Sequence, residues 1–408
     1  MKWLGPTWIK IELDNIVHNL SQIQKLTSAK ICAVIKSNAY GHGICVISSL
    51  LQSLNLPYLA VSDLMEALEV RTAGVQTPLL ILNPNLVHET GEIVQYKITP
   101  TVTSEEILLS LAKHAFLQQK RVNIHLKVET GLNRIGVSPA EALKLAQLIS
   151  EFEYLNLEGV YTHFAAANSD INYTKKQLNH LLVFKSKFNE LGFKNLMWHS
   201  ANSAALVTLP QSHLDMVRIG TMLFGQSTVN KLPHIINLKP TWELYTRIIQ
   251  IKAVKKGEYI GYNKNFITKR NSVIGVIPLG YSDGLGVRPK DNNFWNPLRT
   301  ALLNLVDTPN KIYLDHKSYP IIGKIAMGMC CIDLTEHANP HNLYGAVIQI
   351  PTRRTTINRR IPKIYQMKGK LVIIDWQNKL WKPFCKNNQI YLKEISTYTA
   401  KETLKWRN

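Results

Sequence analysis

The chain is predicted to fold as an α/β barrel, a (β/α)8 array, followed by a mainly-β C-terminal domain. Three observations carry this. From residue 7 to about 225, eight short apolar runs alternate with segments of helical period, the arithmetic of a parallel barrel wrapped by helices. After about residue 235 the helical period fades, and runs rich in β-branched and aromatic residues follow, separated by Gly, Pro and Asn. The length, 408 residues, exceeds one ordinary domain but suits a barrel of ~250 residues with a smaller partner domain.

Thr7–Leu13 reads as an opening strand, and Asp14 as the cap of a helix with Ile16, Val17, Leu20 and Ile23 on one face. The barrel strands are expected at Lys30–Lys36, Tyr58–Ser62, Pro78–Leu82, Ile98–Val102, Val122–Val128, Leu157–His163, Leu196–His199 and Asp215–Ile219. Segments of helical period lie between them, among them Asp63–Ala73, Ser104–Leu117, Pro139–Phe152 and Lys175–Leu191. A doubly wound sheet is the competing layout, but no GxGxxG follows the first strand. Trp242–Val254, Ser272–Ile277, Lys311–Leu314 and Tyr319–Ile325 carry the β segment, with a boundary near Lys231–Pro240. The expected division is 1–235 for the barrel, 236–365 for the β-rich domain and 366–408 for an extra basic tail. That tail shows two short strand-like runs, Lys370–Trp376 and Gln389–Tyr391, and then a polar end.

Composition narrows the class. Hydrophobic residues make up 45% of the chain, enough for sizeable cores, yet no apolar run approaches the ~18–20 residues that span a bilayer. The opening Met1-Lys2-Trp3-Leu4-Gly5-Pro6 lacks the apolar stretch of a secretory signal. Five cysteines, odd in number and without a CxxC pair, argue against a disulfide framework or a zinc site. The expectation is a cytoplasmic protein without a membrane segment and without a metal. The net charge of +20 would attract anionic ligands. Its densest stretch, Arg353, Arg354, Arg359, Arg360 and Lys363, has no accompanying nucleic-acid motif, so nucleic acid is not the expected partner.

One stretch organises the barrel: Ala33-Val34-Ile35-Lys36-Ser37-Asn38-Ala39-Tyr40-Gly41-His42-Gly43. An apolar run ends at Lys36, a loop with two glycines follows, and a helical period begins at Ile44. A lysine at the C-terminal end of a buried strand stands where barrels do chemistry. Partial desolvation there lowers its pKa, so that the amine can attack a carbonyl. A lysine snorkelling at a strand edge would look the same from spacing alone.

With Lys36 so placed, the motif resembles the pyridoxal-phosphate lysine signature of alanine racemases. Further motifs of that family follow in the same order. Thr7-Trp8-Ile9-Lys10-Ile11-Glu12-Leu13-Asp14 resembles its opening, and His125-Leu126-Lys127-Val128-Glu129-Thr130-Gly131-Leu132-Asn133-Arg134 its fifth strand. Tyr161-Thr162-His163-Phe164, His199-Ser200-Ala201-Asn202-Ser203 and Met216-Val217-Arg218-Ile219-Gly220 resemble the ends of strands six, seven and eight. Gly261-Tyr262 and Pro278-Leu279-Gly280-Tyr281-Ser282-Asp283-Gly284 continue the likeness, which covers about residues 7 to 335.

The resemblance implies a pyridoxal 5′-phosphate enzyme that interconverts L- and D-alanine, supplying D-alanine for peptidoglycan. Removing an unactivated α-proton and returning it to the opposite face needs an electron sink and an acid/base group on each face. Lys36 would carry the cofactor and serve one face, and Tyr262 the other. Tyr262 would come from the partner subunit of a head-to-tail homodimer with shared active sites. A phenol is a poor base at neutral pH, so cationic neighbours, His163 and Arg218, would have to favour the phenolate. Arg218 would face the pyridine nitrogen and keep it neutral, since a guanidinium does not surrender its proton. Arg134 would bind the cofactor phenolate and the substrate carboxylate, and Lys127 is a candidate for N-carboxylation. Ser203, the amides near Gly220 and Thr221, and the Tyr40 phenol would cup the phosphate, with Asn202 and His199 as contacts or as supports behind them. His42 is read as structural. Met327 would offer its amide to the substrate, and Tyr281 would line the entrance from the partner subunit.

The chain departs from the family pattern in three places. Asn263 stands where a glycine usually follows the tyrosine, and Lys324-Ile325-Ala326-Met327-Gly328 replaces an Arg-x-Cys-Met-Asp pattern. Thr352 to Asn358 is too short for the family's helix, and no phosphate-binding tyrosine follows it. Two alternatives stand beside the leading reading: a racemase of another amino acid on the same fold, and a non-catalytic homologue with a basic interaction tail.

Overall fold

The structure, a computed structural model, describes residues 5–229, 232, 236–287, 311–314, 317–376, 379–386 and 389–395. They form two compact units, one spanning Asp14–Thr241 and the other combining the described residues up to Leu13 with those between Trp242 and Ile395.

In the second of these units the opening strand β1 (Thr7–Glu12) is an integral member, so it does not belong to the barrel unit despite preceding it in sequence. The barrel itself closes from eight parallel strands in chain order: β2 (Lys30–Val34), β3 (Tyr58–Val61), β4 (Leu79–Pro84), β5 (Thr99–Val102), β6 (Val122–Lys127), β7 (Leu155–Tyr161), β8 (Met197–His199) and β9 (Met216–Ile219). The ring closes where β2 pairs with β9, Cys32 opposite Arg218. All residues of β3, β5 and β9 are buried, as expected of strands covered on both faces.

Every expected barrel strand is present, with ends shifted by one or two residues. The shift that matters is at β2, which stops at Val34, so that Lys36 already belongs to the following turn. Helix starts follow their caps. The side chains of Asp63, Ser104 and Asp170 accept from the amides of Glu66, Ile107 and Tyr173, which starts helices at Leu64, Glu105 and Ile171. Ser138 and Glu141 form a capping box ahead of the helix Pro139–Ser150. Asp14, expected as a cap, sits instead in the first turn of the helix Leu13–Gln24, where a carboxylate favours the helix dipole. None of the described helices is long and apolar enough to cross a membrane.

The other unit is a twelve-stranded sheet with a small two-stranded ribbon. Its strands are β10 (Trp242–Arg247), β11 (Gln250–Val254), β14 (Ser272–Ile277), β15 (Lys311–Leu314), β16 (Lys317–Ile322), β17 (Cys330–Asp333), β18 (Val347–Ile350), β19 (Lys363–Met367), β20 (Lys370–Trp376), β21 (Lys379–Lys386) and β22 (Gln389–Ile395), together with β1. The ribbon pairs β12 (Tyr259–Ile260) with β13 (Phe266–Ile267). β1 lies between β10, antiparallel, and β19, parallel. The cross-strand pair Trp8 and Tyr245 stacks with ring centroids 5.8 Å apart.

Two expectations change here. The run Trp242–Val254 is two strands: its first part pairs with β1 and β18, while Ile249 turns to donate to the Val276 carbonyl and starts the pairing of β11 with β14. The segment from residue 366, expected as a tail, continues the sheet as β20, β21 and β22, each antiparallel to its predecessor. β21 escaped the sequence reading because Lys379, Lys382, Pro383 and Lys386 interrupt its apolar pattern. β21 pairs with β20 over Lys379–Trp381 and with β22 over Leu380–Lys386, so Pro383 stands in the stretch that has a strand on one side, where a proline is tolerated. The polar end beyond residue 395 lies outside the described residues.

Candidate active site

The site begins with the turn after β2. Ser37, Asn38, Ala39 and Tyr40 take φ values of 54, 55, 52 and 54° in succession, a left-handed turn that costs about 1–2 kcal/mol per residue for L-amino acids. Buried hydrogen bonds hold it. The Asn38 amide donates to Glu66 Oε1 at 2.8 Å, and the Ile44 amide donates to Asn38 Oδ1 at 2.8 Å. The second oxygen of Glu66 accepts from the Ser62 amide and hydroxyl at 3.1 and 2.6 Å. His42 is buried, bonded to the Ala39 carbonyl at 2.9 Å and Thr241 Oγ1 at 2.8 Å, and stacked on Phe224. The turn thus aims Lys36 while Glu66 and His42 carry its backbone.

Lys36 opens into a cavity of about 360 Å³ within the barrel unit. Every barrel residue expected at the site lines it: Lys36, Tyr40, Lys127, Arg134, His163, Asn202, Ser203, Arg218, Gly220 and Thr221. They arrive from the ends of β2, β6, β7, β8 and β9 or from the loops just after, the face where barrels place reacting groups. Tyr161 and Thr228 also line it and were not foreseen. Tyr161 opens the motif at the end of strand six, where the resemblance gives it no role of its own, and Thr228 lies in a stretch without pattern. Tyr262, Tyr281 and Met327 belong to the β unit, where they are 68%, 50% and 63% exposed. Asn263 after Tyr262 has φ 62°, the left-handed conformation that a glycine would take freely and that asparagine tolerates better than most residues.

The electrostatics are one-sided. Among the described residues none that lines the cavity is an Asp or Glu, while Lys36, Lys127, Arg134 and Arg218 all line it. Burial, and then the Arg134 guanidinium, lower the Lys36 pKa, with Glu66 opposing. Burial followed by Arg218 and Arg134 brings Lys127 down to about 8. The same causes, burial first and Arg218 next, push His163 down to about 3. His163 is therefore a neutral ring at physiological pH, which corrects its expected role as a cation and leaves Arg218 as the cation of that pair.

Arg218 is buried, and both of its terminal nitrogens are hydrogen-bonded. Its Nη1 donates to His199 Nδ1 at 2.7 Å, and its Nη2 donates to the carbonyls of Thr162 at 2.7 Å and Ser200 at 3.2 Å. The same Nη2 lies 3.3 Å from His163 Nδ1, and the guanidinium sits over the Tyr161 ring, 5.0 Å from its centroid. His199 thus stands behind Arg218 and does not line the cavity. Asn202 does line it, yet its Oδ1 is taken by the amides of Ala204 and Ala205 at 3.0 Å each, capping the helix Ser203–Thr208.

Hydroxyls and an amide also meet at the cavity. The Gly220 amide donates to Ser203 Oγ at 3.2 Å, and a Cβ added at Gly220 would stand 2.3 Å from the Tyr40 hydroxyl. Glycine is required there by close approach. Thr228 Oγ1 is buried at the cavity without a hydrogen-bond partner, an arrangement that is costly unless a ligand satisfies it. Gly220→Ala should displace the Tyr40 phenol. We expect it to weaken binding of a phosphorylated ligand by about tenfold or more, equivalent to losing one charge-assisted hydrogen bond. Fluorescence titration of ligand-free protein measures this, and an unchanged dissociation constant would contradict the cup.

Comparison with known proteins decides the relationship. Residues 11–228 match the alanine racemase N-terminal domain, and residues 241–358 match the alanine racemase C-terminal domain. The chain belongs to the alanine racemase family. Alanine racemase 1 of Caldanaerobacter subterraneus subsp. tengcongensis is 35% identical over 399 residues, covering 90% of this chain and 97% of its own. The alanine racemase of Treponema denticola is 35% identical over 333 residues, covering 79% and 82%. Among solved structures, alanine racemase of Clostridium difficile 630 superposes with a TM-score of 0.82 at 28% identity, covering 92% of this chain and 99% of that one. The Bacillus anthracis alanine racemase, solved with bound L-Ala-P, superposes at 0.79 with 27% identity over 91% and 97%. Like other alanine racemases, this chain is an isomerase, built on the barrel and β region that the sequence indicated.

Proposed function

We propose that this alanine racemase interconverts L- and D-alanine with pyridoxal 5′-phosphate by a two-base route. Lys36 would act on one face of the substrate and Tyr262 of the partner subunit on the other, in a cytoplasmic homodimer that supplies D-alanine for peptidoglycan. The observation that carries the reading is the cavity: Lys36, with its pKa lowered, beside three further cations and no lining carboxylate. Such a site favours a dianionic phosphate and a substrate carboxylate.

The residues present fit the cofactor. Tyr40, Ser203, Thr221 and the unpartnered Thr228 hydroxyl, with the Gly220 amide donating to Ser203 Oγ behind them, are the kind of donor set that a phosphate takes. Lys36 would hold the aldehyde carbon through its amine, and Arg218 would face the ring nitrogen. When bound, pyridoxal phosphate supplies the electron sink that makes a substrate Cα proton acidic.

The chain's own groups account for the rest. Burial and Arg134 disfavour the ammonium form of Lys36, so its Nζ can accept the Cα proton on one face and return it. Tyr262 Oη would donate and accept on the other. Arg218 does not release its proton, so a ring nitrogen held against it would be kept unprotonated, which would favour return of the proton over loss of the amine. Arg134 would fix the substrate carboxylate with its fork of donors. With its pKa near 8, Lys127 offers a fraction of neutral amine that can add carbon dioxide and lose a proton. The resulting carbamate would give Arg134 the negative neighbour that the cavity wall lacks.

The purified wild-type protein should be yellow and should racemise alanine in a coupled D-alanine assay, with kcat/KM for alanine at least about tenfold above that for serine or lysine. A preference for another amino acid would move the assignment to a sister racemase. Absence of racemisation across the panel would refute the enzymatic reading.

A further inference from the structure

We infer that Glu158 is a positioning residue for Arg218, its carboxylate joined to the guanidinium by a one-way hydrogen-bond relay through His125 and His199. The consequence for rate rests on the role proposed above for Arg218; the direction of the relay does not.

The relay runs through the buried interior of the barrel. Arg218 Nη1 lies 2.7 Å from His199 Nδ1, His199 Nε2 lies 2.9 Å from His125 Nδ1, and His125 Nε2 lies 3.3 Å from Glu158 Oε2. Both imidazoles are fully buried. The direction follows from valence. A guanidinium has only donors, so His199 Nδ1 must accept and its single proton must sit on Nε2. That N–H donates to His125, whose Nδ1 must accept in turn, leaving the His125 proton on Nε2. The chain can end only on an acceptor, and it ends on a carboxylate. Burial and the Arg218 charge hold His199 well below its ordinary pKa, consistent with a neutral ring.

The terminus is itself built. Tyr58 donates to the same Glu158 oxygen at 2.6 Å, and Thr99 Oγ1 lies 3.0 Å from the Tyr58 hydroxyl. Tyr58 and Thr99 are the first residues of β3 and β5, so the relay runs from the N-terminal side of the barrel towards the cavity. Burial raises the Glu158 pKa, but the bonds from His125 and Tyr58 outweigh it and keep the carboxyl below its ordinary value. Its side chain is 24% exposed, so the negative charge is partly solvated while the two rings are not. Gly159, next in sequence and paired with His125 across β6 and β7, makes room for the ring: a Cβ there would lie 2.8 Å from His125 Cε1 and 2.9 Å from its Nδ1.

Two things follow for the site. The two ring tautomers are set from one end by the Arg218 donors and matched at the other by the Glu158 acceptor, and a reversed relay would set His199 Nδ1–H against the Arg218 N–H, rotating the guanidinium out of register. Arg218, with no carboxylate lining its cavity, also shares its charge with Glu158 through polarised neutral rings, the cooperative behaviour of buried chains.

Long-range ¹H–¹⁵N spectra of the holoenzyme labelled with ¹⁵N-histidine test the relay, with the two rings assigned by His125→Gln and His199→Gln. Both rings should be neutral Nε2–H tautomers; an Nδ1–H or charged His199 in the wild type overturns the inference. Glu158→Leu and Glu158→Gln should lower kcat about tenfold in both directions, with KM for alanine within about twofold and a mixed tautomer signal at His125. Glu158→Asp should recover part of the rate. Unchanged kcat and tautomers in folded Glu158→Leu also overturn it. If these variants fail to fold, the wild-type spectrum decides alone. If the wild type does not racemise alanine, the proposed function fails, while the spectrum still judges the relay.

Discussion

Replacing Lys36 with alanine is expected to reduce racemisation in both directions by about 10⁴-fold or more, because one side chain supplies both the covalent hold and one of the two proton-transferring groups. The protein should also lose the yellow absorption of covalently held pyridoxal. Stability should not suffer. The amine is half-buried near Arg134, and both burial and that neighbour disfavour its charged form, so its removal relieves an unfavourable charge rather than breaking a pair. The expected combination is an inactive, colourless variant with a thermal midpoint equal to or above that of wild-type protein freed of its cofactor. A Lys36→Ala protein that keeps more than about a hundredth of the activity would remove Lys36 from the mechanism.

Tyr262→Phe is expected to lower racemisation by about 10²–10⁴-fold, the usual loss for one positioned acid/base group. Its effect on folding should be negligible, since the side chain is 68% exposed in its own unit. The distinguishing result is asymmetric. In deuterated water, Cα hydrogen exchange should persist for the enantiomer whose proton faces Lys36 and vanish for the other. Mixing subunits sharpens the test. If each site combines Lys36 of one subunit with Tyr262 of the other, a dimer of one Lys36→Ala and one Tyr262→Phe subunit contains one intact site and one doubly altered site. Random reassociation of equal amounts makes half of the dimers mixed, so about a quarter of wild-type activity should return from two inactive parents. No recovery from subunits shown to exchange would refute the shared site.

Much of this fold was legible because its elements have strong local signals. The barrel strands are short apolar runs bounded by polar ends, and the helices between them carry caps such as Asp63, Ser104 and Ser138. The misreadings have local causes as well. The run at Trp242–Val254 has one uniform texture, yet it changes partners near Ile248, an event encoded in the neighbouring strands rather than in the run. β21 was hidden by its lysines and proline, which a strand tolerates according to its place in the sheet. At the site, most groups that line the cavity stand in recognisable motifs, whereas the two acidic supports, Glu66 and Glu158, do not. Glu66, which holds the turn around Lys36, looks in sequence like any glutamate in the first turn of a helix. Glu158 and His125 lie on different strands, and only the barrel's closure brings them together.

The amino-acid sequence by itself determined the kinds of element, their order and the identity of the groups able to do chemistry: an amine at a strand end, a guanidinium at another, and a phenol in a different region. These follow from local pattern and from the intrinsic reactivity of side chains. Tertiary structure alone decided their charge states and directions. His163 is neutral because burial and Arg218 act on it together, Lys127 is brought near 8 by the same field, and Arg218 is oriented by a ring that no nearby sequence supplies. The physical reason is that desolvation and Coulomb coupling depend on distances between residues far apart in the chain, which no local stretch encodes.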